Sequence, residues 1–123
     1  MSRILLIEDE EDLADLLSQL LEIQGYQVEV AYEGRTGLAK IRSQAFDLII
    51  TDLTMPIVSG WEVLEELRES PEHSTIPVIV TSAGEARNQA KRYGHAFVAK
   101  PFALHQMLAA IDELIGPPAS GIP

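Results

Sequence analysis

Apolar positions along this chain follow two alternating rhythms. Residues 3 to 7, with the unbroken run Ile4-Leu5-Leu6-Ile7, together with Leu48-Ile49-Ile50-Thr51 and Ile76 to Thr81, read as strands buried on both faces. Between such runs lie stretches in which apolar residues recur every three or four positions, the spacing of one helix face. Leu13, Leu16, Leu17, Leu20 and Leu21 stripe a first helix predicted over Glu11 to Gln24, with Gly25 where a left-handed cap is wanted. Tyr26 to Ala31 instead alternates with a period of two, which puts Tyr26, Val28 and Val30 on one side of an edge strand. A weaker helical pattern covers Thr36 to Ile41, interrupted by Gly37. Trp61, Val63, Leu64 and Leu67 give a third helix its buried face, Trp61 as half-buried core. Glu62, Glu65, Glu66 and Glu69 fill a solvated one. A short fourth helix is predicted over Glu85 to Arg92 and a fifth strand over His95 to Ala99. Leu104, Met107, Leu108, Ile111 and Ile115 then stripe the last helix.

Five strands alternating with five helices are the pattern of repeated βα units on a parallel sheet. With right-handed crossovers, units of this length fit an α/β three-layer sandwich of strand order 2-1-3-4-5, with the run before Asp52 at its centre. One domain is expected over residues 1–116. The remaining 117–123, Pro-Pro-Ala-Ser-Gly-Ile-Pro, cannot prolong a helix and reads as a flexible tail or linker stub.

Composition narrows the function. A chain of 123 residues holds one core, and 19 acidic against 9 basic residues give a formal charge of -10. Such a surface repels phosphate backbones and anionic membranes, so neither direct nucleic-acid binding nor a membrane role is expected. Without cysteine there is no disulfide framework, thiolate metal site or cysteine nucleophile. The first residues reach Glu8-Asp9 too soon for a signal peptide or membrane span, and a cytoplasmic location is expected.

Three of the apolar runs stop on charge: the first at Glu8-Asp9, the third at Asp52, the fifth at Lys100-Pro101. Open parallel sheets bind ligands beyond the carboxyl ends of their strands, so acids from two strands and a lysine from a third converge in one crevice. The loop Glu8-Asp9-Glu10-Glu11-Asp12 lacks phosphate-cradling glycines; it repels a bare phosphate and attracts a cation. Glu10, Glu11 and Asp12 suit a helix amino terminus, each stabilising it by about 0.3–1 kcal/mol. Asp52 needs compensation among other carboxylates, and a divalent cation and Lys100 are available. Few carboxylates and open water positions suit magnesium better than calcium. Alternatively, Asp52 caps the turn it forms with Thr54, Met55 and Pro56. Lys100 is held out of helical geometry by the proline that follows it, and Ser82 offers a hydroxyl at the end of the fourth strand. His73, His95 and His105 lack metal-ligand spacing. Arg87, Lys91 and Arg92 form a small basic patch, either solvated decoration or a docking surface for an acidic partner.

Taken together, these residues resemble the receiver domain of bacterial two-component response regulators over nearly the whole chain, in particular the stand-alone, chemotaxis-type receivers. Glu8-Asp9 resembles the family's acidic pair, and Asp52 followed by Met55-Pro56 and Gly60 its phosphoacceptor and loop. Ser82-Ala83 resembles the hydroxyl switch residue with its small neighbour, Phe97 the switch aromatic, and Lys100-Pro101-Phe102 the invariant lysine with its turn. The resemblance implies a flavodoxin-like (βα)5 fold. It implies that Asp52 accepts a phosphoryl group from phosphohistidine on a sensor histidine kinase or histidine phosphotransfer protein. Mg2+ would be held by Asp9, Asp52 and the Thr54 backbone carbonyl, with Glu8 acting through water. Lys100 and Ser82 would bind the phosphoryl group and Phe97 would turn inward. The face of the fourth helix, fifth strand and last helix would thereby switch for a downstream protein, the chain being a monomer or a phosphorylation-dependent dimer.

The implied output is a protein contact rather than enzymatic turnover, self-phosphotransfer and autodephosphorylation aside. Three departures stand out. Phe97 occupies a position where tyrosine is frequent, the stretch from Ser82 to Lys100 is shorter than usual, and Val58-Ser59 replaces a common acid before the glycine. Two other readings remain. A haloacid dehalogenase-type phosphohydrolase would want a second acid where Thr54 stands, and a pseudo-receiver would bind partners without phosphate.

Overall fold

Successive side chains of a strand face opposite ways, and in the central strands of this protein both ways are apolar. The computed structural model describes residues 2–55, 57–82 and 96–117. Its strands are β1 (Arg3–Ile7), β2 (Gln27–Ala31), β3 (Leu48–Asp52), β4 (Val78–Ser82) and β5 (Ala96–Ala99). Its helices are α1 (Glu11–Ile23), α2 (Gly34–Ser43), α3 (Gly60–Glu69) and α4 (Leu104–Ile115), the last being the fifth helix of the sequence pattern. The fourth helix expected over 85–92, with Arg87, Lys91 and Arg92, lies outside the described residues, as do Ala83, His95 and the tail from 118.

All strand pairs are parallel, in the order β2-β1-β3-β4-β5. The pleat divides the core in two. Leu5, Ile7, Ile49, Val78 and Val80 pack against Ile41 of α2 and Val63, Leu64 and Leu67 of α3. Ile4, Leu6, Leu48, Ile50, Ile79 and Val98 pack against Ala14, Leu17 and Leu21 of α1 and Met107 and Ile111 of α4. This is the expected flavodoxin-like three-layer sandwich, with β3 in its middle.

Where boundaries move, backbone hydrogen bonding is the reason. Tyr26 is buried and Val28 and Val30 are partly buried on the same side, but the Tyr26 amide donates to the Leu21 carbonyl at 3.3 Å, so the ladder starts at Gln27. Ile76 likewise donates to His73 at 3.1 Å and Pro77 has no amide to give, which delays β4 to Val78. Gly25, at φ 107°, closes α1 in the left-handed conformation expected of it. Gly37 is a packing requirement rather than a weak spot, since a Cβ there would stand 2.5 Å from Ile7 Cδ1. Ser59 caps α3: its hydroxyl accepts from the Glu62 amide at 3.3 Å and its own amide donates to Glu62 Oε1 at 3.4 Å. Trp61 is half-buried against the α2–α3 side of the core. On the solvated face of α3, Glu66 keeps 44% of its side chain exposed and pairs at the surface with Arg42 across the α2–α3 boundary.

Candidate functional site

The ladder continues past the strand ends and fixes the charged residues there. Glu8 donates its amide to the Ala31 carbonyl at 3.0 Å, Leu53 to Thr81 at 3.0 Å, and Lys100 to Ser82 at 2.7 Å. Ile7 is in register with Thr51, and Asp52 with Thr81, so Glu8 and Asp52 leave neighbouring strands side by side. Beneath them α3 begins so close that a Cβ on Gly60 would overlap the Asp52 carbonyl oxygen. The Gly60 amide donates to Leu53 at 3.0 Å and pins the loop.

Glu8, Asp52 and Ser82 are buried, Asp9 is exposed, and Lys100 reaches in from β5 through a cis Lys100–Pro101 peptide. The Lys100 Nζ donates to Glu8 Oε1 at 2.6 Å and stands 3.4 Å from Asp52 Oδ2. The Glu10 amide donates to the other Glu8 oxygen at 3.1 Å, and the amide of exposed Thr54 to Asp52 Oδ1 at 3.3 Å. Asp52 therefore does cap its turn, while its second oxygen faces the lysine. Both contacts are long, which leaves its carboxylate the less engaged of the two buried acids.

Burial pushes the Glu8 and Asp52 carboxyls above their ordinary values, and Lys100 offsets this only in part. Burial alone would lower the Lys100 ammonium, but the hydrogen bond to Glu8 and the charge of Asp52 outweigh it and hold it above the usual lysine range. Among the described residues, one cation thus serves a cluster in which oxygens of Glu8, Asp9 and Asp52 lie within 4.8 Å of one another. Hard oxygen donors, excess negative charge and one ligand open to water fit a magnesium-like ion.

Phe97 is half-buried, in register with Val80 and packed on the α2–α3 side of the core. The two described histidines stay apart from the crevice in their contacts: His73 Nδ1 bonds Ser70 Oγ at 2.9 Å, and His105 lies exposed on α4. Residues 4–112 match the family model of the response regulator receiver domain. The chain belongs to that family.

As a receiver domain it is the phosphoacceptor module of two-component signalling, and the dehalogenase-type reading falls away. The receiver is 30% identical over 118 residues to the response regulator ArlR of Staphylococcus saprophyticus and 34% identical to that of Staphylococcus haemolyticus. Each match covers 94% of this chain and 53% of the relative, so the chain spans about half the length of the curated relatives it matches. Among solved structures it is similar to the chemotaxis response regulator CheY4 of Vibrio cholerae, with a TM-score of 0.87 and 26% identity over 94% of this chain and 99% of that one. It is also similar to the Thermotoga maritima response regulator TrrA, solved in complex with Mg2+ and BeF, with a TM-score of 0.86 and 30% identity over 94% of this chain and all of that one.

Two features of the receiver escaped the sequence pattern. Gly34 opens α2 against the loop after β3, where a Cβ would stand 2.5 Å from the Val58 carbonyl oxygen; a glycine directly before a helical stretch was the available signal. Ile57 in that same loop takes a φ of 67°, and its residue type gives no sign of it.

Proposed function

We propose that Asp52 is the phosphoacceptor of a phosphorelay and that residues 1–116 form the receiver unit, 117–123 being a tail or linker stub. The observation that carries this reading is the meeting of a loosely held buried carboxylate with Lys100 and two further acids at the carboxyl edge of the sheet. A carboxylate oxygen of Asp52 attacks the phosphorus of a phosphohistidine on a sensor histidine kinase or histidine phosphotransfer protein. As the O–P bond forms, the P–N bond breaks, and the imidazole keeps the electron pair and takes a proton from solvent.

Asp9, Asp52 and the Thr54 carbonyl would hold Mg2+, with Glu8 acting through water. When bound, the ion supplies positive charge that neutralises phosphoryl oxygens and screens the acids from the incoming group. Lys100 turns from Glu8 toward the phosphoryl oxygens. That group brings roughly 1.5–2 negative charges, which also draw the Ser82 hydroxyl and the loop it begins. Phe97 follows into the vacated space, and the face beside β5 changes for a downstream protein, with the receiver a monomer or a phosphorylation-dependent dimer. The acidic surface and the absence, among the described residues, of a helix long and apolar enough to cross a membrane support a cytoplasmic role without direct nucleic-acid contact.

Incubation with acetyl phosphate, with and without MgCl2, followed by intact mass spectrometry tests the reading. A single phosphate adduct that needs magnesium and is missing from Asp52→Asn is the expected result. No adduct on the wild-type protein, or an undiminished one on the variant, would overturn it.

A further inference from the structure

Ile57 combines two local costs. Among the described residues it is the most exposed large apolar side chain, at 83%, and it is a β-branched residue at φ 67°, where Gly or Asn would sit with far less strain. Its surroundings keep it there. Met55 is buried and Val58 packs on the core beside Gly34, so the loop is anchored on both sides of Ile57, whose side chain is turned out. The loop leaves β3 directly after Asp52. The matching loop after β2 carries Tyr32, also exposed, at 38%, with its hydroxyl donating to Asp15 of α1 at 2.5 Å. Two large side chains with apolar surface thus flank the crevice on either side of β1, beside the exposed acids Asp9 and Glu10.

We infer that Ile57 is the apolar contact by which a phosphodonor protein seats on this rim, a role that rests on Asp52 being the phosphoacceptor. The Asp52 side chain is only 7% exposed, so a histidine carried by a protein must enter the crevice while the surface around it presses on the surrounding loops. Ile57 stands where that surface arrives, and its burial there repays exposure and backbone strain together. A small phosphodonor enters without touching the rim.

The experiment compares wild type with Ile57→Asn and Ile57→Gly, two residues that tolerate a positive φ. Autophosphorylated cytoplasmic cores of histidine kinases from the same genome are profiled, and the one that transfers fastest to the wild type is kept as donor. In both variants, kcat/KM for transfer from that kinase falls by about tenfold or more. Loading by acetyl phosphate stays at the wild-type rate, and the thermal midpoint is unchanged or raised. Unchanged transfer from the kinase overturns the inference. So does a parallel fall with acetyl phosphate, which would place the effect at the reacting centre. Failure of acetyl phosphate to load the wild type at all would instead remove the Asp52 reading, and this inference with it.

Discussion

Replacing Asp52 with asparagine stabilises the fold at neutral pH. At an effective dielectric constant of about 20, Lys100 at 3.4 Å attracts the Asp52 carboxylate by about 5 kcal/mol. Glu8, within 4.8 Å, repels it by at least about 3.5 kcal/mol, and exposed Asp9 adds a smaller, screened repulsion. These charges come close to cancelling, which leaves the cost of taking a carboxylate out of water. The side-chain amide introduced by Asp52→Asn keeps the shape and still accepts from Thr54, while Lys100 keeps its 2.6 Å bond to Glu8. The gain is about 1–2 kcal/mol, or about 3–8 °C in the thermal midpoint. Because the folded-state value of Asp52 is raised, the folded protein holds more protons than the unfolded one in the window that opens at its ordinary value of 3.8. Stability of the wild type relative to the variant therefore falls as pH rises through that window, and the difference disappears below it. Thermal melts followed by circular dichroism from pH 3 to 8 without divalent cations measure this. An asparagine variant less stable at pH 7, or a difference that ignores pH, would refute the reasoning.

Other substitutions and additions separate the parts of the crevice. Lys100→Met strands Glu8 and Asp52 in a buried place and lowers the urea stability at pH 7 by about 2–4 kcal/mol, less in acid, where both carboxyls protonate; an unchanged midpoint would show the lysine to be a bystander. Ser59→Ala removes the α3 capping box and costs about 1 kcal/mol by denaturant titration, with no change in acetyl phosphate loading. Millimolar MgCl2 raises the thermal midpoint of the wild type by binding only the folded state, and Asp9→Ala reduces that rise; equal shifts in both proteins would take Asp9 out of the cation site.

The strands were legible where both faces are buried, because Ile4 to Ile7 and Leu48 to Ile50 need no alternation to declare themselves. The ends of β2 and β4 were less so. Tyr26 keeps the side-chain rhythm of a strand while its amide belongs to the turn after α1, and a side-chain pattern is blind to that. Helix α2 hid its start because Gly34 and Gly37 are small in order to let other parts of the chain approach, which reads as weakness in a propensity count. In the crevice, convergence of Glu8, Asp52 and Lys100 followed from strand order. That Lys100 sits on Glu8, with Asp52 held more loosely, depends on ångström differences between neighbouring strand ends. Arg42 with Glu66 and the backbone of Ile57 leave no trace in periodicity: one is a pairing across 24 positions, the other a dihedral angle.

The hydrogen bond from Lys100 to Glu8 joins residues 92 positions apart, across β4 and β3. A nascent or partly folded chain can bring β1 and β3 together early, and with them all three carboxylates. The lysine reaches them only once β5 is paired with β4. Until then the acids repel one another with no ammonium between them. On the proposed role of Lys100, competence to handle a phosphoryl group comes with the final strand, and an incompletely folded copy would stay silent in the signalling circuit.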